Sequence, residues 1–307
     1  MRTNLKLTLA TLAAAALVGS AVAQNPNVFH ASARLIPPAG GRANVVYLMD
    51  ATGTVTGQYN EIAAAAGDAW GYRDGAADRN NNVYFGWGGG VARHRADGTG
   101  GVLQFPNLTP TSTIRALAFD PTGNGGLGSF WTANFGSALY ELNMTTGAVI
   151  TTHLNLDSWS LYGLSYDDAT GDLWGHSRNS TATNEAEVIE ISKGTGRTTG
   201  VGFFTASVYG VPGSSPGGFG IQGGLSAYRA GGGYTLAGVF QATSDTGFTS
   251  DTAGNLTGPF APNPRDFEAQ TTNGGHLGIA SPVPEPASLL ALGVGLAALA
   301  ARRRRKA

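Results

Sequence analysis

Three carboxylates crowd one glycine in Asp167-Asp168-Ala169-Thr170-Gly171-Asp172. Clustered oxygens on a tight loop are what calcium takes, so Asp167, Asp168 and Asp172 are the candidate metal ligands. One repeat earlier the same place reads Asp120-Pro121-Thr122-Gly123, a turn with a single acid, and the glutamate that closes an EF-hand loop is absent. A solvated turn is therefore expected, with no cofactor unless calcium binds there. The histidines are His30, His94, His153, His176 and His276, and none is paired at H-x-H or H-x-x-x-H spacing. A ring-shaped fold brings distant residues together, so spacing alone does not exclude a site. Gly123 to Gly128 match G-x-G-x-x-G, but a dinucleotide site needs that run between a strand and a helix, and here it joins two strands. Gly213-Ser214-Ser215-Pro216-Gly217 matches G-x-S-x-G without the following helix of a nucleophile elbow. The tryptophans at 70, 87, 131, 159 and 174 have faces that stack on sugars, though their spacing favours packing between repeats. No catalytic residue is assigned.

The elements that would position these residues repeat. Val46 to Gly53 reads as a strand followed by an Asp turn and Thr-Gly. Ala92 to Gly100, Leu139 to Gly147 and Val188 to Gly196 follow the same plan, with final glycines 47, 47 and 49 residues apart. Phe248 to Gly254 is a looser fifth copy, after a Gly/Pro/Ser insertion over 211–220. Each copy is a hairpin signal, the glycine supplying the positive φ of a tight turn. Upstream, Ala116-Leu117-Ala118-Phe119-Asp120 matches Gly163-Leu164-Ser165-Tyr166-Asp167, and Leu225-Ser226-Ala227-Tyr228 is a third member. Aromatic strands follow at Phe130-Trp131-Thr132, Leu173-Trp174-Gly175 and Tyr234-Thr235-Leu236, and Val83 to Trp87 fills that slot one repeat earlier. Four strands in about 40–50 residues make the blade of a β-propeller. The expectation is an all-β propeller of about five blades. The ends, 28–36 and 265–279, complete one blade jointly or form a sixth, and an open β-sandwich is the alternative. Helix is expected at most over 61–66.

Composition narrows the function. Cysteine is absent, so stability rests on packing and backbone pairing. Lys and Arg total 19, two of them in 1–23 and five in the C-terminal tail, while Asp and Glu total 20 with Glu285 in the tail. Residues 24–282 therefore carry a net charge of −7, which does not attract nucleic acid or anionic lipid, and no nucleic-acid partner is expected. The 47 glycines show no Gly-X-Y period, which excludes collagen.

The two ends have the character of addresses. Arg2 and Lys6 precede an apolar run from Leu7 to Val18, and Ala21-Val22-Ala23 is a small-x-small cleavage pattern. Residues 1–23 are thus expected to be a signal peptide, cut between Ala23 and Gln24 by signal peptidase. At the other end stand Pro284-Glu285-Pro286, an uncharged run from Ala287 to Ala301, and Arg302-Arg303-Arg304-Arg305-Lys306. The prolines mark a helix start and the basic cluster stays on the cytoplasmic side. From Pro286 to Ala301 a helix would reach about 24 Å at 1.5 Å per residue, against a hydrocarbon core of about 30 Å. That suits a short span held by snorkelling arginines.

This three-part order, over 283–307, closely resembles the PEP-CTERM sorting signal of Gram-negative bacteria. The resemblance implies processing by an exosortase-type membrane transpeptidase, with Pro284, Glu285, Pro286 and Arg302 to Arg305 as the sorting residues. It implies export, transient anchoring in the inner membrane with the domain of 24–282 in the periplasm, then release to the cell surface or medium. The domain itself is similar to secreted bacterial repeat propellers in general. The leading expectation is a non-catalytic propeller that binds an extracellular polysaccharide or a surface protein. A polysaccharide lyase or hydrolase with its site at the channel mouth is the alternative, and a scaffold whose tail is never removed is the third.

Overall fold

Strand signals recur, and the computed structural model pairs them into five sheets of four strands. It describes residues 29–34, 44–68, 70–178, 186–205, 221–230, 233–241, 246–257, 265–266 and 276–281. Contacts group Asn27–Pro282 into one compact unit, and Met1–Pro26 with Val283–Ala307 fall outside it. The signal peptide (with Ala21, Ala23 and Gln24), the sorting tail and the Gly213–Gly217 motif lie outside the described residues. No helix among the described residues is long and apolar enough to cross a membrane.

Blade 1 contains β1 (Phe29–Arg34), β2 (Asn44–Met49), β3 (Val55–Asn60) and, from the far end of the chain, β20 (His276–Ala280). Blade 2 is β4 (Gly75–Ala77), β5 (Asn82–Trp87), β6 (Gly90–Arg95) and β7 (Val102–Pro106). Blade 3 is β8 (Ala116–Asp120), β9 (Ser129–Ala133), β10 (Leu139–Asn143) and β11 (Val149–His153). Blade 4 is β12 (Leu161–Tyr166), β13 (Leu173–Arg178), β14 (Ala186–Ile191) and β15 (Thr198–Phe204). Blade 5 is β16 (Ile221–Ala230), β17 (Gly233–Gln241), β18 (Thr246–Ser250) and β19 (Arg265–Asp266). The only regular α-turn among the described residues is α1 (Ala63–Ala66).

The first strand of each blade packs on the first strand of the next, in the cycle β4, β8, β12, β16, β20 and back to β4. This is an all-β propeller of five blades, not six and not an open sandwich. The two terminal strands β20 and β1 share one sheet, paired through His30↔Ala280, Ala31↔Ile279 and Ser32↔Gly278. An apolar cluster fills each of the five seams. Between blades 3 and 4, for example, lie Ala116, Trp131, Leu161, Leu173 and Ile191. Phe29, Met49, Val239 and Ile279 close the seam between blades 5 and 1. Inner strands are covered on both faces, so β9 is buried throughout. The outermost β3 alternates half-buried with exposed residues. This gradient is the pattern expected when sheets stack radially.

Two small devices recur and explain the repeat. At the end of the first strand, Asp78, Asp120 and Asp167 accept with Oδ1 the N–H two residues on, at 2.8, 2.8 and 2.7 Å. With Oδ2 the same three carboxylates accept from the second strand: Tyr84 Oη at 2.8 Å, Trp131 Nε1 at 3.4 Å and Trp174 Nε1 at 2.9 Å. Each aspartate thus closes its turn and satisfies the polar tip of a buried aromatic.

The second device is the turn between third and fourth strands. Gly53, Gly98, Gly147, Gly196 and Gly254 all have φ between 69° and 86°. In blade 2 the residue equivalent to Gly53 is Gly98, whose N–H bonds Arg95 O as that of Gly53 bonds Asp50 O. The sequence register, which equated Gly53 with Gly100, is corrected by two residues. Gly98, Gly147, Gly196 and Gly254 also sit directly against Tyr59, Phe105, His153 and Phe203 on the outer strand of the preceding blade.

Candidate functional site

Strands alternate in direction, so the connections between blades and the turns between second and third strands emerge on one face. The described members are 61–68 with 70–74, then 107–115 and 154–160, with turns at 88–89 and 134–138. Just beneath this face, on the axis, lies Asp74.

Asp74 is fully buried. Its Oδ2 accepts the backbone N–H of Leu117 at 3.0 Å and of Leu164 at 2.7 Å. Its Oδ1 accepts that of Leu225 at 3.2 Å. Those leucines hold one repeat position in blades 3, 4 and 5. Aligned on Asp78, Asp120 and Asp167, Asp74 stands where blades 3 and 4 have Ala116 and Gly163. Asp74 fills the centre because the other blades present small residues there: a Cβ on Gly224 would collide with the Asp74 carboxylate, and one on Gly278 with the Arg73 carbonyl. Burial pushes the Asp74 carboxyl well above the usual range, while N–H donors from Leu117, Leu164, Gly75 and Leu225 pull it back.

Around the axis the face carries two arginines, both one residue before the axial position. The Arg73 guanidinium lies 5.1 Å from the Trp70 ring centroid and 4.0 Å from Asp68 Oδ1. Arg115 lies 3.7 Å from the centroid of Phe135 and 5.8 Å from that of Tyr162. Its Nε donates to Asn134 Oδ1 at 3.3 Å. Burial lowers its pKa to about 10, with Tyr162 and Asp68 opposing, so it is charged at neutral pH. Trp70 is 43% exposed and Arg73 is buried.

Phe135 has φ +50°, in the left-handed region that costs a non-glycine residue about 1–3 kcal/mol. The chain keeps phenylalanine there although Gly136 is adjacent. The turn is held by Ser137 N–H to Asn134 O at 3.1 Å and Asn134 N–H to Ser137 Oγ at 2.9 Å. Leu161 N–H donates to Phe135 O at 3.1 Å, tying the turn to blade 4. The strained residue is the one whose ring covers Arg115. Such a face can hold an anionic or planar polar group against a cation backed by aromatic rings.

The residues singled out from sequence do not meet there. Asp167 is committed to Ala169 N and Trp174 Nε1, and Asp172 Oδ1 accepts Lys193 N–H at 2.9 Å. Among the described residues no group of three potential metal ligands converges. Lys193 reaches across to Asp120 Oδ2 at 2.6 Å. Burial alone would raise Asp120, but the Lys193 ammonium and the Thr122 donors hold it below the usual range.

His30, His94, His153 and His176 belong to seams, and the His276 side chain lies outside the described residues. His30 Nδ1 is 3.0 Å from Tyr59 Oη, and His94 Nε2 is 2.7 Å from Tyr72 Oη. Burial, with neighbouring His94, lowers His30 to about 3. His176 is buried beside Phe240 and Phe248, and burial lowers it to about 4. His153 stacks on Trp131. Trp131, Trp159 and Trp174 are core, leaving Trp70 as the exposed tryptophan. The G-x-G-x-x-G run joins β8 to β9 with left-handed Asn124, Gly125, Gly126 and Gly128, and no α-helix follows it.

Asp74, Arg115 and Phe135 escaped the sequence reading. A signal for them existed. Aligning the strand-end aspartates puts a charged residue at a position of otherwise small residues, and puts Arg73, Arg115 and Tyr162 together at the position before it.

No curated protein matches the chain. Among solved structures, a protein of unknown function from Bacteroides caccae is similar at 12% identity, over 77% of this chain and 73% of its own. The TM-score is 0.29, too low to define a shared fold. Residues 282–305 match the PEP-CTERM protein-sorting motif. That motif implies export, membrane-anchored sorting and an exosortase-processed substrate. The chain is therefore a five-bladed β-propeller that carries a PEP-CTERM sorting motif directly after its last strand.

Proposed function

We propose that this is an exported, envelope-sorted propeller with a non-catalytic role, binding an extracellular polymer or surface protein. Residues 1–23 act as the signal peptide, 24–282 as the exported domain and 283–307 as the sorting tail. After transient anchoring in the inner membrane, with the domain in the periplasm, the protein passes to the cell surface or medium. The observation that carries the reading is the sorting motif over 282–305 joined to a propeller. The loop face with Trp70, Arg73, Arg115 and Phe135 is where the partner binds.

The test has two arms. Glu285→Ala, or neutral residues at Arg302 to Arg305, leaves the propeller folded and mislocalises it, read by cell fractionation. Normal fractionation of both variants counts against the sorting role. A glycan array with a pull-down from envelope fractions reads the binding role. Release of shortened products from a bound polymer would instead identify a lyase or hydrolase.

A further inference from the structure

The loop face has so far been given a role but no ligand chemistry. Arg115 supplies one, and the inference rests on the binding role proposed above. Its guanidinium is charged and lies 3.7 Å from the Phe135 centroid and 5.8 Å from that of Tyr162, two rings that pack edge to face at 4.9 Å and so back it from one side. Its Nε is taken by Asn134. Among the described residues no carboxylate stands within salt-bridge distance of it, and Asp68, whose charge it feels, is 4.0 Å from Arg73. A half-buried cation normally has its counter-ion built in. Here the protein instead maintains a left-handed phenylalanine to cover it.

With one side backed by rings and Nε bonded to Asn134, the guanidinium has its Nη edge to offer. That edge presents two parallel N–H donors, the fork that matches a planar carboxylate. Trp70, exposed on the same face, offers a ring suited to the C–H face of a sugar. The domain's net charge of −7 repels polyanions at long range, so attraction to an acidic chain must come from such a local fork. We propose that Arg115, backed on one side by Phe135 and Tyr162, anchors a carboxylate-bearing sugar, and that the polymer bound by this face is a polyuronate-type acidic polysaccharide.

Affinity electrophoresis of the full mature chain in detergent micelles tests this. The probes are polygalacturonate, its methyl ester, dextran sulfate and dextran. Polygalacturonate is expected to retard the protein, and the methyl ester and dextran to leave it unretarded. Arg115→Gln weakens the interaction tenfold or more, and Arg115→Lys lies between. Phe135→Gly guards against a mere folding effect. It suits the positive φ, which offsets part of the lost ring contacts with Arg115 and Tyr162, so the variant still melts cooperatively while binding weakens. Equal binding of the methyl ester, preference for dextran sulfate, or unchanged binding by both Arg115→Gln and Phe135→Gly overturns the proposal. Arg115-independent binding of a neutral glycan or a protein would sink the acidic-sugar assignment and leave the binding role standing. No partner on the array or in the pull-down would sink both.

Discussion

The Asp74 carboxylate accepts the backbone N–H of Leu164 at 2.7 Å across 90 residues of sequence. Blade 2 is thereby tied to blade 4, and through Leu117 and Leu225 to blades 3 and 5. The same backbone position of several blades points at the axis, and one side chain collects what would otherwise be unpaired donors. These partners are all N–H groups, which suits an acceptor-only carboxylate.

Asp74→Asn should therefore destabilise the propeller although it preserves shape. In either amide orientation the NH2 faces an N–H donor, of Leu225 in one and of Leu117 and Leu164 in the other. A buried donor left unpaired costs about 1–3 kcal/mol. Urea unfolding of wild type and variant measures the loss. A variant as stable as wild type would mean that Asp74 is protonated in the fold and that the N–H contacts do not depend on its charge.

Acid should weaken the fold through its histidines. Burial lowers His30 to about 3 and His176 to about 4, from 6.5. As pH falls below 6.5 the unfolded chain takes up both protons and the folded chain does not. Stability is thus full above 6.5 and is lost toward pH 4, by up to about 1.4 kcal/mol per pH unit for each histidine. Asp74 works with the opposite sign. Its raised pKa lets the folded chain keep a proton that the unfolded chain has lost above 3.8, so acidification toward 3.8 favours the fold at that residue. Urea midpoints are expected to fall between about pH 7 and pH 4.5. His176→Gln should make the fall shallower by about one proton, and an unchanged slope would contradict its neutral burial.

Much of the fold is legible in the sequence because its turns are chemical. A glycine at positive φ recurs in all five blades, and an aspartate closing a turn with an aromatic on the next strand recurs in blades 2, 3 and 4. What is not legible is what lacks a local signature. Strand β4 is three residues long, Gly75 to Ala77, with no aromatic. The sequence places strand β20 among the end segments that complete one blade jointly or form a sixth, and its pairing with β1 decides for the joint blade. Gly98 and Gly100 compete for one role, and packing against Tyr59 accompanies the choice of Gly98. The candidate site is less legible still, since Arg115, Phe135 and Tyr162 come from two blades and meet through tertiary packing.

The turn glycines make a graded prediction. Gly147 has φ +74°, and an added Cβ would also run into the Phe105 ring of the preceding blade. Gly171 has φ +81° but nothing within 4 Å of that Cβ. Gly171→Ala should carry the backbone penalty alone, about 1 kcal/mol, and Gly147→Ala a further overpacking cost of about 1–3 kcal/mol. Thermal denaturation of the two variants ranks them. Equal losses would mean that the seam between blades 2 and 3 yields freely at its rim.

Ring closure should depend on residues immediately before the sorting motif. Strand β20 is the inner strand of blade 1, and Ile279 is fully buried in the seam with blade 5. Ser281 N–H still bonds Ser226 Oγ at 2.9 Å, and the motif match begins one residue later. A cut within or after Pro284 to Pro286 leaves this strand whole, whereas a cut before His276 strips blade 1 to three strands. The edge of β1, with Phe29 and Ala31 behind it, would then be open to water or to another chain. Deletion of 287–307 should therefore leave melting and protease resistance unchanged. Deletion of 276–307 should abolish the cooperative transition and promote association. If the two truncated proteins melt alike, the ring is held by its other four seams and the last strand is not its closure.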